Sequence, residues 1–266
     1  MSLKVCIAGA TGWAGSELAR GIAAAADLTL VAGVSRSHAG KILGDVLNDS
    51  RLTGRLYASA SEALVEPCQV FVEYTKPASA KANILLALQS GAHVVVGASG
   101  LTDADFAELD SVARERQRGV LACGNFALTA VLLQKFAETA AKYLPNWEIV
   151  EYGSGTKADV PSGTVRELAL RLSQVRKPQV TIAPESAIGP PESRGATVAG
   201  TQVHSVRLPG HVLGVDVIYG MPDQTLTLRH QAGSSARPYV DGALLAIRKV
   251  SGLVGVHRGL DQVLDF

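Results

Sequence analysis

The chain has 266 residues, which at roughly 150 residues per domain suggests two domains. Lys and Arg (25) balance Asp and Glu (24), so charge gives no support for a nucleic-acid coat or a polybasic membrane binder. Hydrophobic residues (47%) and charged residues (18%) stand in a ratio that argues against disorder, and aromatics at 5% leave Ala, Val, Leu and Ile to build the core.

The first half alternates strand and helix signals. Leu3 to Ala8 is a short apolar run ending at Gly9, and a helix is expected from Trp13 to Ala26. Further strands are read at Leu28 to Val34, Gln69 to Tyr74, His93 to Val96 and Val120 to Cys123. Helices are read at Ala78 to Ser90, Asp103 to Gln117 and Leu128 to Tyr143. Continuous apolar strands separated by helices predict a parallel sheet covered on both faces, a doubly wound Rossmann-type α/β domain. The pattern changes near Pro145. Trp147 to Tyr152 reads as a strand, followed by a Gly/Ser/Thr-rich loop and a helix from about Thr164 to Gln174. Strands are then expected at Gln179 to Ala183, Val203 to Leu208, Val212 to Tyr219 and Gln224 to His230, with Pro184 to Gly200 as a loop. Gly220-Met221-Pro222-Asp223 is a hairpin signal. These runs predict a smaller α+β domain with an open mixed or antiparallel sheet over residues 127–235, after the doubly wound domain over 1–126. The last helical run, Ala236 to Val250, is expected to carry segment 236–266 back onto the first domain.

Cys6, Cys68 and Cys123 are widely spaced within apolar runs and read as free thiols of a cytoplasmic protein, not as a disulfide frame or a zinc site. No run of 18 apolar residues and no signal-peptide layout is present in the sequence.

Gly9-Ala10-Thr11-Gly12-Trp13-Ala14-Gly15 follows the first strand and opens the first helix. Glycines there let the backbone turn and approach a pyrophosphate, whose charge sits on the free N–H groups at the helix start. The alternative is a plain tight connection. An NAD site usually places Asp or Glu at the end of the second strand, but here stand Ser35, Arg36 and Ser37. A guanidinium flanked by hydroxyls suits a 2′-phosphate, so NADPH is expected to be preferred with NADH possible.

The most informative stretch is Glu151 to Thr164, EYGSGTKADVPSGT. Pro161-Ser162-Gly163-Thr164 stands at a helix start, where hydroxyls and free N–H groups make an anion pocket suited to a substrate carboxylate. Lys157 lies upstream as carboxylate partner or proton donor. Ordinary capping is the competing reading: Thr164 with Glu167 fits a capping box, and Ser162 can also cap.

This stretch resembles the signature of the dihydrodipicolinate reductase family, E-x-H-H-x-x-K-x-D-x-P-S-G-T. The resemblance extends through Tyr74-Thr75-Lys76-Pro77, Gly97-Ala98-Ser99-Gly100 and Gly124-Asn125-Phe126. It continues in Arg194-Gly195-Ala196, His204-Ser205-Val206-Arg207 and Leu226 to His230. It implies that the domain over 1–126 binds a dinucleotide and that the domain over 127–235 serves substrate binding and oligomerisation. It also implies hydride transfer from NADH or NADPH to a C=N-containing ring that bears carboxylates, in a homotetramer (or homodimer) built through the open sheets. Carried over by position, Gly9, Gly12 and Gly15 hold the pyrophosphate, with Thr11, Trp13 and Ala14 between them. Arg36, between Ser35 and Ser37, faces the adenosine ribose. Thr75, Gly97, Ser99 and Asn125 line the nicotinamide side, with their neighbours Tyr74, Lys76, Ala98, Gly124 and Phe126. Lys157, Ser162, Gly163 and Thr164 contact the substrate.

The chain departs from the signature at the paired histidines, which fall on Gly153 and Ser154. A hydride delivered to an imine needs a matching proton on nitrogen. Lys157 is the first candidate donor, Tyr152 a second if it points inward, and Ser154 a third group at the site. The two small residues also enlarge the pocket, so an altered substrate or proton donor is expected. The competing readings are the lysine-pathway reaction itself, an amine or amino-acid dehydrogenase, and a non-catalytic dinucleotide sensor. His38, His93, His204, His211, His230 and His257 show no metal-ligand spacing, and no metal is expected.

Overall fold

The computed structural model describes residues 2–265. The chain divides into two compact units, residues 1–128 with 236–266, and residues 129–235.

The first unit is built on a seven-stranded, all-parallel sheet. In chain order its strands are β1 (Leu3–Ala8), β2 (Leu28–Val34), β3 (Arg55–Tyr57), β4 (Val70–Glu73), β5 (His93–Val96), β6 (Gly119–Ala122) and, from the end of the chain, β12 (Gly255–Arg258). Their spatial order is β12-β6-β5-β4-β1-β2-β3. The direction of winding reverses between β1 and β4, so the carboxyl ends of these two strands open the crevice where doubly wound sheets take ligands. Helices α1 (Trp13–Ala24), α4 (Pro77–Gln89), α5 (Asp103–Glu115) and α8 (Val240–Lys249) are its longer helices, with short α2 (Leu43–Leu47) and α3 (Ala60–Ala63) between them. Strands covered on both faces carry apolar side chains on both, and β4 and β6 are buried at every position. The core is made of Ala, Val, Leu and Ile around one large ring, Phe71. In α8, Val240 lies where a Cβ on Gly21 of α1 would fall, at 2.4 Å, so the two helices meet at a glycine.

The second unit holds α6 (Leu128–Ala141), α7 (Gly163–Val175) and a mixed sheet of β7 (Asn146–Gly153), β8 (Ala196–Val198), β9 (Thr201–Arg207), β10 (Leu213–Met221) and β11 (Gln224–Ala232). The order is β11-β10-β7-β9-β8, parallel only between β7 and β9. One sheet face supplies Trp147, Ile149, Val203, Val215, Val217 and Tyr219 to a core shared with Leu133, Ala137, Leu168 and Leu172. Residues of opposite parity, among them Glu148, Tyr152, His204 and Asp216, lie on the other face.

Most elements lie within two residues of their predicted ends. The strand expected at Gln179–Ala183 is absent: prolines at 178 and 184 bracket it, and Gln179 N–H and C=O are taken by Pro145 O and Asn146 Nδ2. The loop expected at Pro184–Gly200 contains the edge strand β8. The final helix begins at Val240, preceded by a single 3-10 turn over Arg237–Tyr239. The hairpin turns on Pro222-Asp223, with Asp223 at φ 58°.

Candidate functional site

In the first unit, β1 runs into the glycine loop. Gly9 takes φ +82°, and a Cβ there would lie 2.8 Å from Tyr74 O. A Cβ on Gly15 would lie 2.1 Å from Gly9 O. Side chains are excluded at both positions, and the backbone surface of the loop stays bare. Gly12 is the N-cap of α1 and has no side-chain capping bond, and no acidic residue occupies the first turn. The loop closes on itself through Gly12 N–H to Gly9 O at 2.9 Å. Trp13 and Ala14 N–H are left at the positive end of the helix. The bare backbone and uncapped helix start fit a diphosphate, so the residues present match a dinucleotide.

At the end of β2, buried Ser35 bonds the glycine loop through Thr11 Oγ1 at 2.7 Å. His38 Nδ1 lies 3.3 Å from Ser35 Oγ and 3.0 Å from Ser37 Oγ. Arg36 and Ser37 are exposed on this turn. Trp13 is exposed and meets Tyr239 edge-on, ring centres 5.7 Å apart.

The end of β4 carries a feature the sequence reading missed. Glu73 is fully buried; its Oε1 accepts Thr75 N–H at 2.6 Å and its Oε2 accepts Asn83 Nδ2 at 2.9 Å. These donors fix the Thr75-Lys76 turn, from which Pro77 starts α4. Burial pushes the Glu73 carboxyl above the usual range. Tyr74 stacks edge-on to Phe126 at 5.9 Å and its hydroxyl is pushed up by burial. A Cβ on Gly97 would lie 2.1 Å from the Tyr74 ring, so a glycine follows β5 and admits that ring. Ala98 N–H bonds Glu73 O, and Ser99 is exposed beyond it. After β6, Gly124 is exposed and Asn125 Oδ1 accepts Ala127 N–H at 2.8 Å. Residues 9–15, 35–37, 74–76, 97–99 and 124–126 thus gather at the carboxyl ends of β1, β2, β4, β5 and β6.

In the second unit, β7 and β9 run parallel into the second cradle. Ser162 caps α7, its Oγ accepting Val165 N–H at 3.4 Å, so the cap is Ser162 and Thr164 lies inside the first turn. Among the described residues, the N–H groups of Gly163 and Thr164 have no hydrogen-bond partner. Buried Glu151, also missed from the sequence, accepts Ser162 N–H at 3.2 and 3.0 Å on its two oxygens. It further accepts Ser205 Oγ at 2.7 Å and an Arg207 guanidinium N–H. Burial opposes its charge, but the bonds from Ser162, Ser205 and Arg207 together outweigh burial and hold the carboxyl below the usual glutamate range. The missed signal was parity: positions 147, 149 and 151 share one face of β7, so a glutamate at 151 points inward beside Trp and Ile.

Lys157 Nζ pairs with Asp159 Oδ1 at 2.6 Å, which lowers the Asp159 carboxyl. Ser154 Oγ meets Thr156 Oγ1 at 3.1 Å, and Lys157 N–H donates to Ser154 O at 3.0 Å. The loop therefore brings Ser154, Lys157, Ser162, Gly163 and Thr164 to one end of the unit. Tyr152 is not brought there. It lies on the opposite face of β7, its hydroxyl donating to Asp216 Oδ2 at 3.1 Å and its ring 5.2 Å from His211. Burial, then Asp216, pushes that phenol up. The inward orientation that a Tyr152 acid requires is absent. His230 is buried and bonds Thr129 Oγ1 at 3.0 Å.

A seven-stranded parallel sheet with a bare glycine loop, followed by a mixed-sheet unit, is the architecture of a two-unit pyridine-nucleotide oxidoreductase. The family models for the N-terminus and C-terminus of dihydrodipicolinate reductase match residues 3–126 and 129–264. Among curated relatives, the chain is 37% identical over 268 residues to a 4-hydroxy-tetrahydrodipicolinate reductase from Moorella thermoacetica, covering 100% of this chain and 99% of the relative. It is 36% identical over 264 residues to the enzyme of that name from Halalkalibacterium halodurans, covering 99% and 100%. Its fold superposes on the dipicolinate-bound dihydrodipicolinate reductase from Paenisporosarcina sp. TG-14 with TM-score 0.88, at 29% identity and 99% and 100% coverage. The amine dehydrogenase from Mycobacterium smegmatis shares the fold at TM-score 0.68 and 14% identity, over 100% of this chain and 97% of that one. The chain belongs to the dihydrodipicolinate reductase family. It is an NAD(P)-dependent oxidoreductase of that type.

Proposed function

We propose that this protein reduces the C=N bond of a cyclic, carboxylate-bearing substrate with NADPH in preference to NADH, and does so without a histidine proton donor. When bound, the reduced nucleotide would supply the hydride to the imine carbon and so become oxidised. The nitrogen takes a proton, giving a CH–NH unit. The observation that carries this reading is the α7 start: its first N–H groups lie at the positive end of the helix, Ser162 is held there on Glu151, and the Lys157–Asp159 pair lies in the loop that leads into it, an arrangement suited to an anion. Lys157 is the group in this cradle with a proton to give, and Asp159 orients it; Ser154 holds the loop through Thr156 and Lys157. In the first unit, Gly9, Thr11, Gly12, Trp13, Ala14 and Gly15 receive the diphosphate. Ser35, Arg36 and Ser37 take the 2′-phosphate, and Tyr74–Lys76, Gly97–Ser99 and Gly124–Phe126 border the nicotinamide. The names of the relatives make 4-hydroxy-tetrahydrodipicolinate the first substrate to test.

The open face of the second unit's sheet carries a cavity of about 890 Å³ lined by Glu148, Val150, His204, Ile218 and the exposed Ile182 and Ile188. We assign this face to assembly with further copies of the chain as a homotetramer; a monomer in sedimentation velocity would remove that assignment.

The deciding experiment follows NADPH oxidation with 4-hydroxy-tetrahydrodipicolinate and with other cyclic imines bearing carboxylates. Turnover is expected, and Lys157→Ala should lower kcat by about 10²–10⁴-fold while nucleotide affinity stays unchanged. Tight NADPH binding without turnover on any imine would instead make the protein a dinucleotide sensor. A fully active Lys157→Ala enzyme would remove Lys157 as the donor.

A further inference from the structure

Glycine stands at 153, and two long side chains lie over its α-carbon. A Cβ built at that position would lie 3.1 Å from Lys157 Cδ and 3.2 Å from both Cδ and Cζ of Arg207. Arg207 is the last residue of β9, beside Gly153 at the end of β7 in the parallel register. Its side chain is 14% exposed. One guanidinium nitrogen bonds both Glu151 and, at 2.7 Å, Asp159 O; the other terminal nitrogen bonds Val206 O at 3.0 Å. The Arg207 Nε is buried without a partner. The guanidinium therefore joins three pieces of chain: β9, the carboxylate that holds Ser162 N–H, and the backbone of the residue that pairs with Lys157.

We propose that Arg207, anchored on Glu151, is a positioning residue of the carboxylate cradle: it occupies the space above Gly153, and through Glu151 and Asp159 it holds the α7 start and Lys157 in one anion-binding arrangement. This rests on the reading of the α7 start as the substrate-carboxylate site. Arg207 acts on that site through Glu151 and Asp159, by removing the loop's freedom to open. Any side chain at 153 must displace Arg207 or Lys157 by a few tenths of an ångström. A permanently charged guanidinium also keeps the Glu151 carboxylate ionised.

The test uses the full chain with saturating NADPH and dipicolinate as the probe, by calorimetry. Arg207→Met should weaken dipicolinate at least tenfold with NADPH affinity unchanged, and Arg207→Lys should recover part of the loss. Gly153→Ala should weaken dipicolinate several-fold in the parent and less in Arg207→Met, where only Lys157 is left to be displaced, the coupling expected of groups competing for one space. The pH profile provides the readout that misfolding would not imitate. The groups facing Glu151 are Ser162 from α7, Ser205 and Arg207 from β9, and Lys157 and Asp159 from the loop; buried His230 lies on the same sheet face, beyond Val215. Removing Arg207 leaves burial less opposed, so dipicolinate affinity in Arg207→Met should begin to fall at higher pH on acidification than in the parent. Wild-type affinity and an unshifted profile in Arg207→Met, with affinity lost in Lys157→Ala, would overturn the role of Arg207 while leaving the cradle intact. No binding by the parent protein would overturn the cradle itself, and the role of Arg207 with it.

Discussion

The two units each place a buried glutamate at the end of a strand and use it to hold the N–H of the loop that follows, but they balance the charge in opposite ways. Glu73 receives only neutral donors, the Thr75 N–H and the Asn83 amide, and burial drives its carboxyl up. Glu151 receives the Ser162 N–H, the Ser205 hydroxyl and a guanidinium, and its carboxyl is driven down. Both carboxyls are buried; what lowers Glu151 is the set of bonds from Ser162, Ser205 and Arg207, and only the last of these donors is charged. The Thr75-Lys76 turn is held on Glu73 through neutral hydrogen bonds. The loop that joins the Lys157–Asp159 pair to the start of α7 gains from a salt bridge that fixes its shape.

The largest effect that sharpens this contrast is expected from Glu151→Gln. The amide leaves Arg207 without its anionic partner in a mostly buried setting, which costs about 3 kcal/mol of stability. Because the Glu151 carboxyl is lowered on folding, its contribution is present above the unfolded glutamate range and lost as pH falls through the folded value. The parent and variant should therefore differ most at neutral pH and converge on strong acidification, read by denaturant unfolding at several pH values. A difference that does not change with pH would show that the charge of Glu151 is not what supports the loop.

Arg36→Ala addresses the first unit's side of the contrast, at a smaller scale. The exposed guanidinium is proposed to meet the 2′-phosphate beside Ser35 and Ser37. Losing one charge-assisted contact should raise the NADPH Kd by about tenfold and leave NADH within about twofold. Equal weakening of both nucleotides, read by quenching of the exposed Trp13, would remove Arg36 from phosphate recognition.

Much of this molecule is legible without coordinates, for identifiable reasons. The strands of the first unit are continuous apolar runs between helix-length segments, and a Gly-rich turn after the first of them has few physical uses. The glycine loop, the serines flanking Arg36 and the Pro161–Thr164 helix start were found by that route. The short strands β3, β8 and β12 were missed because three or four residues carry little periodicity, and Gln179–Ala183 was misread because an apolar run between prolines imitates a strand. Tyr152 was placed among the possible acids because its neighbours are, although alternation along β7 sends it to the other face. The same alternation, applied strictly, would have turned Glu151 and Arg207 inward. Glu73 had no such signal: on a strand buried on both faces, parity does not distinguish a positioned carboxylate from an end-of-strand charge.

The smallest effect, and the one that most directly sets the two glutamates apart, belongs to Glu73→Gln. A carboxyl raised on folding contributes stability that is complete below the unfolded glutamate range and is lost as pH rises through the folded value. Ionisation of the buried Glu73 carboxyl therefore works against folding. Glutamine keeps an oxygen for Thr75 N–H, and the Asn83 amide can turn its own oxygen to accept from the new amide NH2, so both contacts survive as neutral hydrogen bonds. The thermal midpoint at neutral pH should be unchanged or slightly raised, within about 1 kcal/mol, and NADPH affinity should stay as in the parent. A loss comparable to that of Glu151→Gln would break the comparison, because it would mean that the first unit also depends on a buried negative charge.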